Sequence, residues 1–182
     1  MEQLDAIHSF VSGKIVELSD ESYWARQTLA KLRYGIGKAP GEVPELFEVT
    51  LGGLPERLAG SGVPSVAEWA IYTVLTMYAL NKTAMDENPH KDSGDSFGQA
   101  VRKLVLIDGS SDKLIKTRYC AAITASDMPG FSFHAAGLVK RFKSNIPTIR
   151  LDYPQFAVDL CKLFTGDTRK EALYKWTSGS VS

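Results

Sequence analysis

From Trp69 to Asn81 the chain carries no charged residue on any side, and that run most constrains the fold. Ser65-Val66-Ala67-Glu68 stands before it in the pattern of a capping box, so the run is predicted to be a helix. A helix that is apolar all round cannot face water and needs other elements packed about it. It is also shorter than the roughly 18–20 apolar residues a membrane span requires, and no other stretch reaches that length. The chain is therefore expected to be a bundle with this helix buried at its centre.

Helical periodicity recurs on both sides of that run. Leu4, Ile7, Val11, Ile15 and Leu18 form one apolar stripe. Ser19 or Asp20 is predicted to cap a second helix with Ala25, Leu29, Leu32 and Ile36 inside, ended by Gly35 and Gly37. A Gly/Pro-punctuated connection follows to about Pro64. Ser96 to Gln99 is a second capping box, before Phe97, Val101, Leu104 and Val105. Ser110 or Ser111 opens a helix to about Ser126, and Phe131, Ala135, Leu138 and Phe142 mark another. Asp152 caps a helix closing at Gly166, and Thr168 to Glu171 caps the last. Strand signals are absent, since the Ile149–Leu151 alternation is too short. The expected class is all-α, roughly eight or nine helices in two packed subdomains. Residues 1–86 form the first, a polar connection at 87–95 follows, and 96–182 form the second.

Catalytic and metal-binding patterns are missing. His8, His90 and His134 are isolated, with no HExxH or CxxC spacing to hold zinc. Gly35-Ile36-Gly37-Lys38 fails as a phosphate loop: Leu32 stands where the first glycine belongs, and Ala39 stands where Ser or Thr belongs. Asp92 and Asp95 are read as solvated loop residues, and Asn81-Lys82-Thr83 as a chance match to a glycosylation acceptor. The first helix carries Glu2, Asp5 and Glu17 and no continuous apolar run, which is not a secretory signal. Cys120 and Cys161, both in apolar helical surroundings, read as buried thiols of a reducing compartment. The expectation is a cytoplasmic protein that is not an enzyme and uses no metal or cofactor.

The formal net charge is zero, but its distribution is uneven. Residues 1–110 hold 10 Lys and Arg against 15 Asp and Glu, whereas residues 111–182 hold 11 against 6. Three basic groups stand out. Arg26, Lys31, Arg33 and Lys38 lie between Ser22 and Gly41, a stretch without any acid. Arg26 and Arg33 are seven residues apart, on one side of a helix and about 10 Å apart along it. Lys140 and Lys143 lie opposite an apolar stripe flanked by Arg141, and Arg102, Lys103, Lys113, Lys116 and Arg118 surround a turn. Guanidinium forks and mobile ammonium groups suit phosphate oxygens, and binding them releases counterions without reading any base. Tyr23, Trp24, Tyr34 and Tyr119 stand beside these groups and could stack on bases, although core packing is the ordinary role of such residues.

Four stretches, taken in order, resemble the CasB-type small subunit of type I-E CRISPR Cascade complexes. Tyr23-Trp24-Ala25-Arg26 through Ala30-Lys31-Leu32-Arg33-Tyr34-Gly35 is similar to its early Trp and A-x-L-R-R segment. Ser96-Phe97-Gly98-Gln99-Ala100-Val101-Arg102-Lys103-Leu104 is similar to its S-L-G-R-A-L-R-x-L segment, preceded by His90. Leu138-Val139-Lys140-Arg141-Phe142 is similar to its basic L-x-R-L helix, and Leu151-Asp152-Tyr153 through Leu160 to its L-D-Y-x-x-L-x-x-D-L segment. Lys175-Trp176 completes the order. Tyr34 and Gln99 depart from the pattern, standing where basic residues are frequent.

The resemblance implies a helical subunit present as two copies beside other Cascade subunits. It would contact the guide RNA–target duplex and secure the displaced DNA strand. Matching basic positions are Arg26, Lys31, Arg33, Arg102, Lys103, Lys140 and Arg141, with Arg118 in a helix that also carries Arg in the family. Clustering alone adds Lys38, Lys113, Lys116 and Lys143. Two other readings stay open: a helical protein-interaction scaffold, and a helix-turn-helix DNA-binding regulator built on the turn at Asp108–Gly109.

Overall fold

The computed structural model describes residues 2–82 and 87–179. Residues 83–86 lie outside the described residues, and with them Thr83 and the expected end of the first subdomain; so do 180–182. Among the described residues the chain is all-α. Its helices are α1 (Glu2–Ser19), α2 (Tyr23–Tyr34), α3 (Pro44–Leu51), α4 (Val66–Asn81), α5 (Phe97–Ile107), α6 (Asp112–Ile123), α7 (Met128–Lys143), α8 (Tyr153–Leu163) and α9 (Arg169–Gly179). One short strand, β1 (His90–Asp95), accompanies them.

The uncharged run is α4, buried almost throughout from Ala67 to Asn81. Ser65 and Glu68 close the capping box at its start, with Ser65 accepting from the Glu68 amide at 3.0 Å and Glu68 from the Ser65 amide at 2.6 Å. Around it pack α1, α2, α3, α7 and α8. The second buried axis is α8, whose Tyr153, Phe156, Ala157, Leu160 and Leu163 leave the solvent. Because α1 packs on α8 while α4 touches α7 and α8, residues before and after the 87–95 segment share one apolar core. Phe97 anchors its aromatic part, stacking on Phe156 at 5.1 Å and meeting Phe131, Phe142 and Trp176.

A carboxylate, Asp159, is buried in that core. Lys175 Nζ reaches its two oxygens at 2.9 and 2.8 Å, Gln155 Nε2 donates at 2.9 Å, and Trp176 Nε1 at 3.3 Å. A buried charge is tolerable only with such partners, and here they tie α9 to α8.

Local expectations differ from the fold at several points. Ser22 caps α2 and accepts from the Ala25 amide at 3.2 Å, while Ser19 is spent on α1, where its hydroxyl bonds Val16 O. The Gly/Pro-punctuated connection holds α3, which starts at Pro44 and buries Leu46, Thr50 and Leu51. Thr168 does not cap α9; its hydroxyl donates to Lys162 O at 3.0 Å. Residues 90–95, expected within a polar connection, form β1 against Leu151. There Asp95 N donates to Arg150 O at 2.7 Å and Leu151 N to Pro89 O at 3.1 Å. His90 is not isolated either, since its ring bonds Leu151 O and Asp92 and packs on Tyr153. Of the two free thiols, Cys161 is buried but Cys120 is exposed.

Candidate nucleic-acid interface

The helices α6 and α7 form a hairpin through the short connection 124–127. Small residues let it close: a Cβ on Gly137 would come to 1.7 Å from Arg118 Nη1, so the guanidinium lies across the α7 backbone at that point. Arg141 reaches past the start of α6 to Asp108 at 2.8 Å. These two contacts set the first half of α6 beside the second half of α7. Lys113, Lys116, Arg118, Lys140, Arg141 and Lys143 all stand on this helix pair, hereafter the ridge. Three basic residues in the last turn of α7 also suit the partial negative charge of a helix C-terminus.

Members of the ridge differ in freedom. Arg141 is held by Asp108 and Lys116 by Asp112, both at 2.8 Å. Among the described residues Lys113, Arg118, Lys140 and Lys143 pair with no carboxylate. The Asp108 carboxyl is held below its ordinary value, chiefly by the hydrogen bond from Ser110, with Arg141 adding to the effect.

Lys103 is turned elsewhere. Its ammonium bonds Asp95 at 2.9 Å and Thr148 O at 3.2 Å, beside a cleft of about 360 Å³ that Lys91, Gln99 and Arg150 also line. Asp95, read from sequence as a solvated loop residue, is largely covered there. Arg102 Nη1 is buried with no acceptor among the described residues. The Gln99 side chain closes the capping box, accepting from the Ser96 amide at 2.9 Å.

The basic residues of α2 are carried apart from the ridge, because α4 stands between α2 and α7. Arg26 and Arg33 share a helix side but not a role. Arg33 donates through Nε to Ala79 O at 2.7 Å and through Nη2 to Lys82 O at 2.6 Å. It donates to carbonyls at the end of α4, and burial lowers its pKa. Arg26 is exposed and rests on Glu21 O at 2.9 Å. Lys31 stands 3.5 Å from Glu45, and Lys38 lies over the Tyr34 ring at 4.0 Å. Tyr119 is buried against Phe97 and unavailable for stacking, whereas Tyr23, Trp24 and Tyr34 are exposed.

Sequence reasoning missed Lys91 and Arg150 at the cleft, for which no local signal exists. It also passed over Phe133, 74% exposed on α7. That residue was legible, since it falls off the Phe131–Ala135–Leu138–Phe142 stripe. Among the described residues no three of His, Cys, Asp and Glu gather as metal ligands, and no helix is long and apolar enough to cross a membrane.

Fold and ridge together define a class: an all-α bundle that displays cations on its outer helices around a closed apolar core. The profile of the CRISPR-associated protein Cse2 family matches residues 28–178, and the chain belongs to that family. It is thus a CasB-type small subunit of the type I-E Cascade complex, a structural part of CRISPR defence whose partners include other Cascade subunits. The fold is similar to the crystal structure of CasB from Thermobifida fusca, at 23% identity and a TM-score of 0.76. That match covers 97% of this chain and 98% of that one. Among curated proteins no significant match was found.

Proposed function

We propose that this subunit binds nucleic acid through backbone phosphates, without catalysis, and so stabilises the R-loop formed when guide RNA pairs with target DNA. The α6–α7 ridge carries this reading: Lys113, Lys140 and Lys143 stand on neighbouring helices with no carboxylate partner among the described residues. Opening DNA against a guide is a near-balanced exchange, so modest backbone contacts tip it. Two copies in the cytoplasmic complex would extend the cationic surface along the guide–target duplex and the displaced strand. Arg26 and Lys31 on α2 and Lys38 just beyond it serve the same end, while Arg33 and Lys103 act chiefly by holding the fold.

Lys113→Ala, Lys140→Ala and Lys143→Ala together test the ridge. Binding should weaken similarly for all sequences, and the dependence of log K on log salt should flatten by about 0.7–0.9 per lost phosphate contact. An unchanged slope, measured by fluorescence anisotropy at several salt concentrations, removes the ridge from the interface.

A further inference from the structure

The outer face of α2 has an unusual composition for a helix in water. Tyr23 is 73% exposed, Trp24 50% and Tyr34 70%, although each could have been buried at a gain. Between them stand Arg26 and Lys31, with Lys38 just beyond, and no acid occurs from Ser22 to Gly41. Tyr23 and Tyr34 are eleven positions apart, which puts them on one side of the helix and about 16 Å apart along it. The cations are placed for use. Arg26 is steadied by two bonds from its guanidinium to Glu21 O. The contact between Lys31 and Glu45 is long and more than half exposed at both ends, so it exchanges readily. Lys38 covers one face of the Tyr34 ring.

Aromatic planes interleaved with cations match a ligand with both flat π-faces and regularly spaced negative charge. Protein interfaces also use Tyr, Trp and Arg, but their cores are depleted of Lys, and here Lys31 and Lys38 stand among the rings with the regular spacing of charge that a phosphate chain offers. Duplex DNA offers the charge but hides its base faces in the stack. We infer that α2 is a stacking platform for unpaired bases: Tyr23, Trp24 and Tyr34 take the bases of a single strand, while Arg26, Lys31 and Lys38 take its phosphates. This rests on the nucleic-acid reading above and gives it a division of labour, in which α2 selects single strands and the α6–α7 ridge holds backbone of any kind.

The full chain is tested by fluorescence anisotropy against three probes: a labelled oligothymidylate, an abasic strand of the same length, and a duplex. The wild type should bind oligothymidylate more tightly than the abasic strand. Tyr23→Ala, Trp24→Ala and Tyr34→Ala should each weaken oligothymidylate binding about 5- to 150-fold, the range of one stacked base. The abasic strand and the duplex should be unaffected, and Tyr34→Phe should bind as the wild type because the ring and not the hydroxyl is used. The three side chains are exposed, so melting temperatures should stay unchanged. Equal affinity of the wild type for base-bearing and abasic strands overturns the platform. So do variants that leave oligothymidylate binding intact but fail to assemble with the other Cascade subunits, which would make α2 a protein contact. If the ridge variant still loses affinity in either case, phosphate binding survives; if the wild type binds no probe, both readings fall.

Discussion

The two basic regions, α2 and the α6–α7 ridge, differ less in their cations than in what stands beside them. On α2 the neighbours are exposed aromatics and no acid follows until Glu42. On the ridge Asp108 and Asp112 occupy two of the cations, and the exposed apolar neighbours are one aromatic, Phe133 on α7, and a corner of aliphatic residues, Leu106, Ile107 and Leu114. Aliphatic side chains have no π-face to offer a base, so that corner is suited to packing against protein. A count of lysines and arginines treats the regions as equivalent. Their chemistry does not, and the reason is contact: a cation acts on a partner only after its own neighbours have been satisfied.

Arg33 is the sharpest case and carries the largest expected effect. It sits seven residues from Arg26 on the same side of α2, yet its guanidinium is committed to Ala79 O and Lys82 O. Arg33→Ala should lower unfolding free energy in urea by about 1.5–3 kcal/mol, the worth of a hydrogen bond to a charged group. Arg26→Ala should change it by less than about 0.5 kcal/mol and act on binding instead. If the two variants melt alike, Arg33 is free for phosphate and the α2 face is larger than drawn here.

The end of α2 is also latched by a phenol. Tyr72 donates to Gly35 O at 3.0 Å, and a Cβ on Gly35 would fall 2.5 Å from the Tyr72 hydroxyl oxygen, so glycine is needed for the approach. Burial, with a smaller push from Glu42, raises the Tyr72 pKa to about 12. The unfolded phenol ionises near 10. The folded value is the higher one, so the latch contributes fully below about pH 10 and is lost as pH rises toward 12. Tyr72→Phe removes this titration. Its stability should fall with pH less steeply than the wild type's over that window, by up to about 1.4 kcal/mol per pH unit. Equal slopes in alkaline urea titrations would show that α2 is held some other way.

Much of the architecture was readable because its signals are local. Ser65 with Glu68, Ser96 with Gln99, and Asp152 are caps a few residues from what they cap, and the charge-free run before Lys82 could only be central. What escaped depends on distant partners. β1 exists because Leu151 lies about 60 positions away, and no window on either segment shows it. α3 is short and sits among glycines and prolines that masked its buried side. The basic groups were found but not their states, since Asp95 claims Lys103 and Asp108 claims Arg141 across gaps that no helical spacing reveals. Several residues quoted for the family resemblance prove structural: Asp152 caps α8, Tyr153 bonds Asn81, and Asp159 fastens α9.

The smallest expected effect concerns the acids that hold two ridge cations at 2.8 Å, closer than Glu45 stands to Lys31 on α2. Asp108→Asn releases Arg141 and should tighten binding to any strand or duplex at low salt. Solvent screens a partly exposed pair, so the gain should stay within about fivefold. The salt dependence should steepen by up to about 0.9 if the freed guanidinium finds a phosphate. Acidification should not imitate the substitution. Hydrogen bonding from Ser110 leads in holding the Asp108 carboxyl below its ordinary value. A depressed folded value means the ion pair persists as pH falls through the usual carboxylate range and is lost only beneath it. The ratio of variant to wild-type affinity should therefore be constant between about pH 7 and pH 5. A ratio that shrinks as the wild type gains affinity would mean the carboxyl protonates in that range. A variant no tighter than the wild type would show that the acids do not restrain the ridge, leaving the cluster of three exposed aromatics on α2, against Phe133 alone on α7, as the difference between the two regions.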